Sequence, residues 1–171
     1  MGGSAVFVLV GGWPGSGKTT LARALAPRLG LGYLGKDDVK EQLVAAFGDP
    51  VDVEASRRLG TTAVRLLLHL ATDLPGAVID STWYPYVTPL VAALPAPVVE
   101  VRCLVPLDLA RQRYSSRRRG AGHLDDRRTE AELWGEPVAP LGAGPLVEVD
   151  TSGAVDLDAL VERVRGARPQ A

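Results

Sequence analysis

Gly12-Trp13-Pro14-Gly15-Ser16-Gly17-Lys18-Thr19 is the stretch on which the fold turns. It satisfies every fixed position of the pattern G-x-x-x-x-G-K-[ST]. An unbroken apolar run, Ala5–Val10, leads into it and reads as a strand buried on both faces of a parallel sheet. Helical spacing leads out of it. Leu21, Ala22, Leu25, Ala26 and Leu29 recur along Lys18–Leu29, and Gly30 stands where the helix should end. Strand, glycine loop and helix in that order make a cradle for phosphate. The glycines let consecutive N–H groups converge on phosphate oxygens, and the positive end of the helix dipole faces the same point. Lys18 can reach the β- and γ-phosphates, and the Thr19 hydroxyl can ligate Mg²⁺. Nucleotide contacts are therefore expected from Gly12, Gly15, Ser16, Gly17, Lys18, Thr19 and Thr20.

Further along, short apolar runs alternate with helical ones. Strands are expected at Tyr33–Leu34, Ala77–Asp80, Val98–Val105 and Leu146–Val149. Helices are expected at Asp38–Phe47, Val53–Thr72, Val87–Leu94, Asp108–Arg119 and Leu157–Arg165, with a short one around Thr129–Trp134. In the long helix, Leu59, Ala63, Leu66, Leu67 and Leu70 form the expected inner side, with His69 in or beside the core. Five strands interleaved with helices predict an α/β three-layer sandwich around a mainly parallel sheet. With no internal repeat, residues 1–171 read as a single domain, in which the segment 108–135 would act as a lid.

The composition narrows the function. The net charge is −1 over 171 residues, which argues against a protein built to grip nucleic acid through a broadly basic surface. Cys103 is the one cysteine, so an internal disulfide and a cysteine-based metal cluster are both ruled out. No apolar run approaches the roughly 18 residues of a membrane span, and Met1–Val10 lacks the basic start and cleavage site of a signal peptide. A cytoplasmic protein, monomeric or homodimeric, is expected. The 19 basic residues include only three lysines, Lys18, Lys36 and Lys40. With no lysine beyond Lys40, the base-reading Asn/Thr-Lys-x-Asp segment of a GTPase is missing, and a ring-forming ATPase would need an additional helical domain.

Candidate catalytic carboxylates lie at strand ends, where open α/β sheets place their ligands. Asp38 and Glu41 read as a capping pair, which leaves Asp37 just outside the helix as a proton acceptor for an attacking hydroxyl. Lys36 and Lys40 stand close enough in sequence to hold Asp37 ionised or to bind an anionic group of the substrate. Asp80 closes Ala77–Asp80 in the manner of a Walker B acid, so Thr19 and Asp80 are the expected metal ligands. Trp83, Tyr84 and Tyr86 follow; they could line a substrate pocket, Trp83 first, or pack the next helix. Over 108–128 seven arginines stand against three acids. Arg113 and Arg117, four residues apart, are expected on one helix face, to neutralise charge on the transferring phosphoryl group. Arg119 is a further candidate there, and Arg57 is a candidate for substrate contact. Gly120, Gly122 and Gly135 would let this segment move as a lid.

The phosphate loop, Lys36-Asp37-Asp38 with Lys40, Asp80-Ser81-Thr82, the arginine-rich segment and Val149-Asp150-Thr151-Ser152 together resemble the small P-loop kinases. The nearest resemblance is to the AAA_33 group, with its relatives of the polynucleotide kinase domain, the zeta toxins and chloramphenicol phosphotransferase. That resemblance implies a nucleoside-monophosphate-kinase-like fold with strand order 2-3-1-4-5. It also sets Asp37 at the catalytic acid of an Arg-Asp-Asp-x-x-Arg segment, Lys40 at its closing arginine, and Thr151 near the adenine base. The function so implied is transfer of the γ-phosphoryl group of ATP, with Mg²⁺, to a hydroxyl of a small molecule such as a nucleoside or nucleotide, a sugar or an antibiotic-like metabolite. A polynucleotide 5′-hydroxyl kinase and a nucleotide-binding regulatory module with weak ATPase activity are the alternatives.

Overall fold

In the computed structural model, residues 5–117, 123–124, 127–135 and 138–168 are described. Five strands, β1 (Phe7–Gly12), β2 (Gly32–Gly35), β3 (Ala77–Asp80), β4 (Val98–Leu104) and β5 (Leu146–Asp150), form one sheet in the order β2-β3-β1-β4-β5. All four pairings are parallel. The helices among the described residues are α1 (Lys18–Leu29), α2 (Lys36–Phe47), α3 (Val53–Ala71), α4 (Thr88–Val91), α5 (Leu107–Ser116), α6 (Glu130–Trp134) and α7 (Leu157–Gly166). This is the α/β sandwich expected from the alternation of strands and helices, with the strand order that the family resemblance implies.

Each parallel pairing needs a crossover, so helices cover both faces and the strands read as continuous apolar runs. β1 lies at the centre and all six of its residues are buried. Val6, Val8 and Val10 face a core shared with Leu25 of α1 and Val161 of α7. Phe7 and Leu9 face the opposite core, with Leu67 and Leu68 of α3 and with Ile79. From β1 the chain runs through α1 to one side of the sheet, and β4 lies on the other side. The C-terminal end of β1 is therefore the switch point where an open α/β sheet leaves a crevice. Gly12, Gly35, Asp80, Leu104 and Asp150 end the five strands along that edge.

Several local expectations are corrected. α2 starts at Lys36, with extended Gly35 as its N-cap, so Asp37 and Asp38 both lie in the first turn. Asp38 does not cap the helix; it takes both its short contacts, 2.8 Å each, from Arg23 of α1. α5 ends at Ser116, and Arg117 is an extended C-cap residue. Arg113 and Arg117 therefore do not share a helical face. The hydroxyls of Ser115 and Ser116 turn back onto the carbonyls of Gln112 and Arg113, a bonding that competes with continuing the helix. The buried row of α3 is Ala63, Val64, Leu67, Leu68 and Ala71, which leaves Leu66, His69 and Leu70 outside. The expected Val87–Leu94 helix is a 3₁₀ turn, Pro85–Val87, followed by α4. Arg118, Arg119, Gly120 and Gly122 lie outside the described residues.

Candidate active site

The phosphate loop is held open by backbone that only glycine adopts freely. Gly12, Gly15 and Gly17 have φ of +145°, +77° and +83°. A Cβ on Gly15 would sit 2.2 Å from the Ala110 carbonyl of α5. Gly15→Ala is therefore expected to displace the loop or α5 and to cost about 1–3 kcal/mol from backbone strain alone. A fall in melting temperature with loss of nucleotide binding would show it; a fully wild-type melting curve would contradict it.

The loop is braced from β4 and β5. Thr151 Oγ1 lies 2.7 Å from the Ser16 carbonyl and 3.0 Å from the Leu104 carbonyl. Arg113 donates 2.8 Å hydrogen bonds to the carbonyls of Thr151 and Ser152. Both side chains, expected to meet nucleotide or phosphoryl group, are thus engaged with backbone beside the loop. Ser16 Oγ is buried and makes no hydrogen bond to the described residues. A buried hydroxyl in that state is costly unless a ligand supplies its partner.

Lys18 is 7% exposed and its Nζ is 3.4 Å from the Trp13 carbonyl. It lines two cavities. One, of about 560 Å³, is walled by Gly15, Gly17, Thr19, Thr20, Arg113, Arg117, Thr151 and Val155. The other, of about 750 Å³, is walled by residues that include Asp37, Lys40, Arg57, Asp80, Trp83, Tyr84 and Tyr86. Among the described residues, nearly all those expected at the site line one or both of these cavities; Gly12 and Ser16 are the exceptions and shape the loop instead.

Asp80 is 5% exposed, and burial pushes its carboxyl above the usual range. The Lys18 charge and hydrogen bonds from Thr19 and Tyr33 oppose that rise, while Asp37 adds to it. Tyr33 Oη donates to Oδ2 at 3.3 Å, and Oδ1 is buried with no hydrogen bond to the described residues. A buried carboxylate oxygen left open, beside the Thr19 hydroxyl, fits a hard cation that keeps most of its waters, as Mg²⁺ does. The same burial makes the ionised form unfavourable in the metal-free fold. An acid whose folded pKa is raised contributes stability below its unfolded pKa and loses it as pH rises through the folded one. Asp80→Asn is therefore expected to raise the melting temperature of the metal-free protein at pH 7, with the gain fading on acidification. Equal melting temperatures at pH 7 would contradict this.

Asp37 is partly exposed and pairs with Lys36 at 2.7 Å. Lys40 is 2% exposed and donates to Ser56 Oγ of α3 at 2.7 Å, so it sits in the cavity floor. By spacing, the closing position of an Arg-Asp-Asp-x-x-Arg segment falls on Glu41, one residue beyond Lys40. Arg57 is paired to Glu132 of α6, whose side chain also completes a capping box with Thr129. Trp83 is both wall and core. Its Nε1 donates to the Val10 carbonyl at 3.0 Å, and its ring fills the space where a Gly11 Cβ would stand. Cys103 is buried behind the loop, its thiol pushed up to about 12 by burial.

Sequence reasoning missed Tyr33, Ser56 and the cluster above the loop. Trp134 of α6 packs with ring centroids at 5.7 Å against both Trp13, tilted by 38°, and Tyr114, edge-on at 83°. Arg111 lies over the Trp134 ring at 5.8 Å and pairs with Glu130. Only Trp13, an aromatic inside a glycine loop, gave any local hint of this. Among the described residues, no helix is long and apolar enough to cross a membrane.

The AAA_33 family (AAA domain) matches residues 7–133. A "putative kinase" from Chloroflexus aurantiacus J-10-fl is 32% identical, with 96% of this chain and 98% of that one covered and a TM-score of 0.84. Shikimate kinase from Acinetobacter baumannii, solved with shikimate, is 18% identical, with coverage of 94% and 89% and a TM-score of 0.61. A gluconokinase from Sinorhizobium meliloti 1021 is 18% identical, with coverage of 96% and 91% and a TM-score of 0.58. No curated protein matches the sequence.

Proposed function

We propose that this chain, which belongs to the AAA_33 family, is an ATP-dependent kinase that phosphorylates a hydroxyl of a small molecule. The observation that carries the reading is that two separate cavities meet at Lys18. A nucleotide hydrolase needs one cavity and a water; a phosphotransferase needs a second cavity for the acceptor. The kinase description of the 32%-identical relative supports the same reading.

In this scheme the 560 Å³ cavity takes the nucleotide and the 750 Å³ cavity takes the acceptor. Lys18 and the loop N–H groups hold the phosphates. Thr19 and Asp80 would hold Mg²⁺, whose chemistry is to neutralise charge on the β- and γ-phosphate oxygens. Asp37 accepts the proton as the acceptor oxygen bonds to the γ-phosphorus, and the bond to the β-phosphate oxygen breaks to release ADP. Arg113 acts as a positioning residue through the Thr151 turn, and Arg117 faces the nucleotide. Lys40, Arg57 and Trp83 shape the acceptor cavity. The protein works as one domain and without nucleic acid.

The test is a panel of hydroxyl compounds followed by ADP release and by phosphorus NMR of the product, with and without Mg²⁺. Mg²⁺-dependent phosphorylation of at least one alcohol is expected. ADP release that no alcohol stimulates would sink the reading in favour of a nucleotide-binding module.

A further inference from the structure

The acceptor cavity is lined by a feature that phosphoryl transfer does not use. Trp83-Tyr84-Pro85-Tyr86-Val87 follows β3, and its outer residues are core. Trp83 is 5% exposed and Val87 is 1% exposed. Between them, Tyr84 and Tyr86 are 51% and 47% exposed and line the cavity. Their rings are near-parallel, 14° apart, with centroids at 6.4 Å. Pro85 and the hydrogen bond from Val87 N to the Tyr84 carbonyl at 3.1 Å set the turn. The backbone that carries the two rings is thus anchored at both ends by buried neighbours.

Neither tyrosine hydroxyl makes a hydrogen bond to the described residues. The other aromatics above the loop, Trp13, Tyr114 and Trp134, are packed on one another. Arg57 and Arg128 line the same cavity as the two tyrosines. Near-parallel aromatic rings left half-bare in a cavity that arginines also line are suited to receive another flat ring.

We propose that the phosphoryl acceptor carries an aromatic ring, and that Tyr84 and Tyr86 hold that ring. This rests on the kinase reading, and it names the acceptor as an aryl-bearing or nucleobase-bearing alcohol. Binding would be measured by calorimetry or ligand-observed NMR on the full chain with Mg²⁺ and ADP. One arm compares phenyl with methyl β-D-glucopyranoside, and the other compares uridine with methyl ribofuranoside. The aryl or base member of at least one pair is expected to bind about tenfold more tightly. Tyr84→Ala/Tyr86→Ala should level that pair, whereas Tyr84→Phe/Tyr86→Phe should keep the preference, because it lies in the ring faces. Equal binding within both pairs, or a preference that survives the double alanine variant, overturns the proposal. ADP release with plain alcohols and no ring preference overturns the ring shelf and leaves the kinase reading standing. Tyrosine-dependent ring binding with no phosphorylation of any alcohol overturns the kinase reading instead.

Discussion

Asp37→Asn is expected to lower kcat by about 10²–10⁴-fold, the usual contribution of a positioned general base. The substitution keeps the shape and removes the ability to take a proton. Asp37 lies in the first turn of α2, beside Lys36 at 2.7 Å, on the wall of the larger cavity. It does not line the nucleotide cavity, so the KM for ATP should change little. The measurement is single-turnover phosphorylation of the best acceptor together with the melting temperature. An intact melting curve with a kcat within threefold of wild type would remove Asp37 from the mechanism.

Lys18→Met should lower kcat by about 10²–10³-fold on electrostatic grounds alone, with weaker nucleotide binding besides. The ammonium serves both cavities, so its loss affects both substrates. It also restrains the proton affinity of Asp80 and of Cys103. Without it the Asp80 carboxyl rises further above its usual range, and the acid limb of the residual pH–rate profile should move to higher pH. Calorimetry with ADP and the pH profile together check this. Wild-type affinity with an unmoved acid limb would contradict it.

The legible parts of this molecule were the local ones. The loop pattern, the α1 boundaries at Lys18 and Leu29, and the β3 strand ending in Asp80 follow from residues adjacent in sequence. What could not be read depends on partners far along the chain. Asp38 looked like a helix cap until Arg23, fifteen positions away, competed for its carboxylate. Periodicity alone does not fix the inner face of α3, because Leu66 and Leu70 share the helical period of Ala63 and Leu67, and only the sheet decides which row turns inward. Thr151 read as a nucleotide contact, yet its hydroxyl reaches the Ser16 carbonyl across 135 positions. Tyr84 and Tyr86 left two readings open because alternation cannot distinguish a pocket wall from a packed turn.

The chain has three tryptophans, and each stands at a working part of the molecule. Trp13 is in the phosphate loop, Trp83 walls the acceptor cavity, and Trp134 bridges α6 to the loop. Intrinsic emission is therefore a local optical gauge rather than an average over the fold. Loop rearrangement should alter the Trp13–Trp134 pair, and acceptor entry should alter Trp83. Rapid-mixing fluorescence on the unlabelled protein, with single Trp→Phe variants to sort the signals, can then time the arrival of each substrate separately.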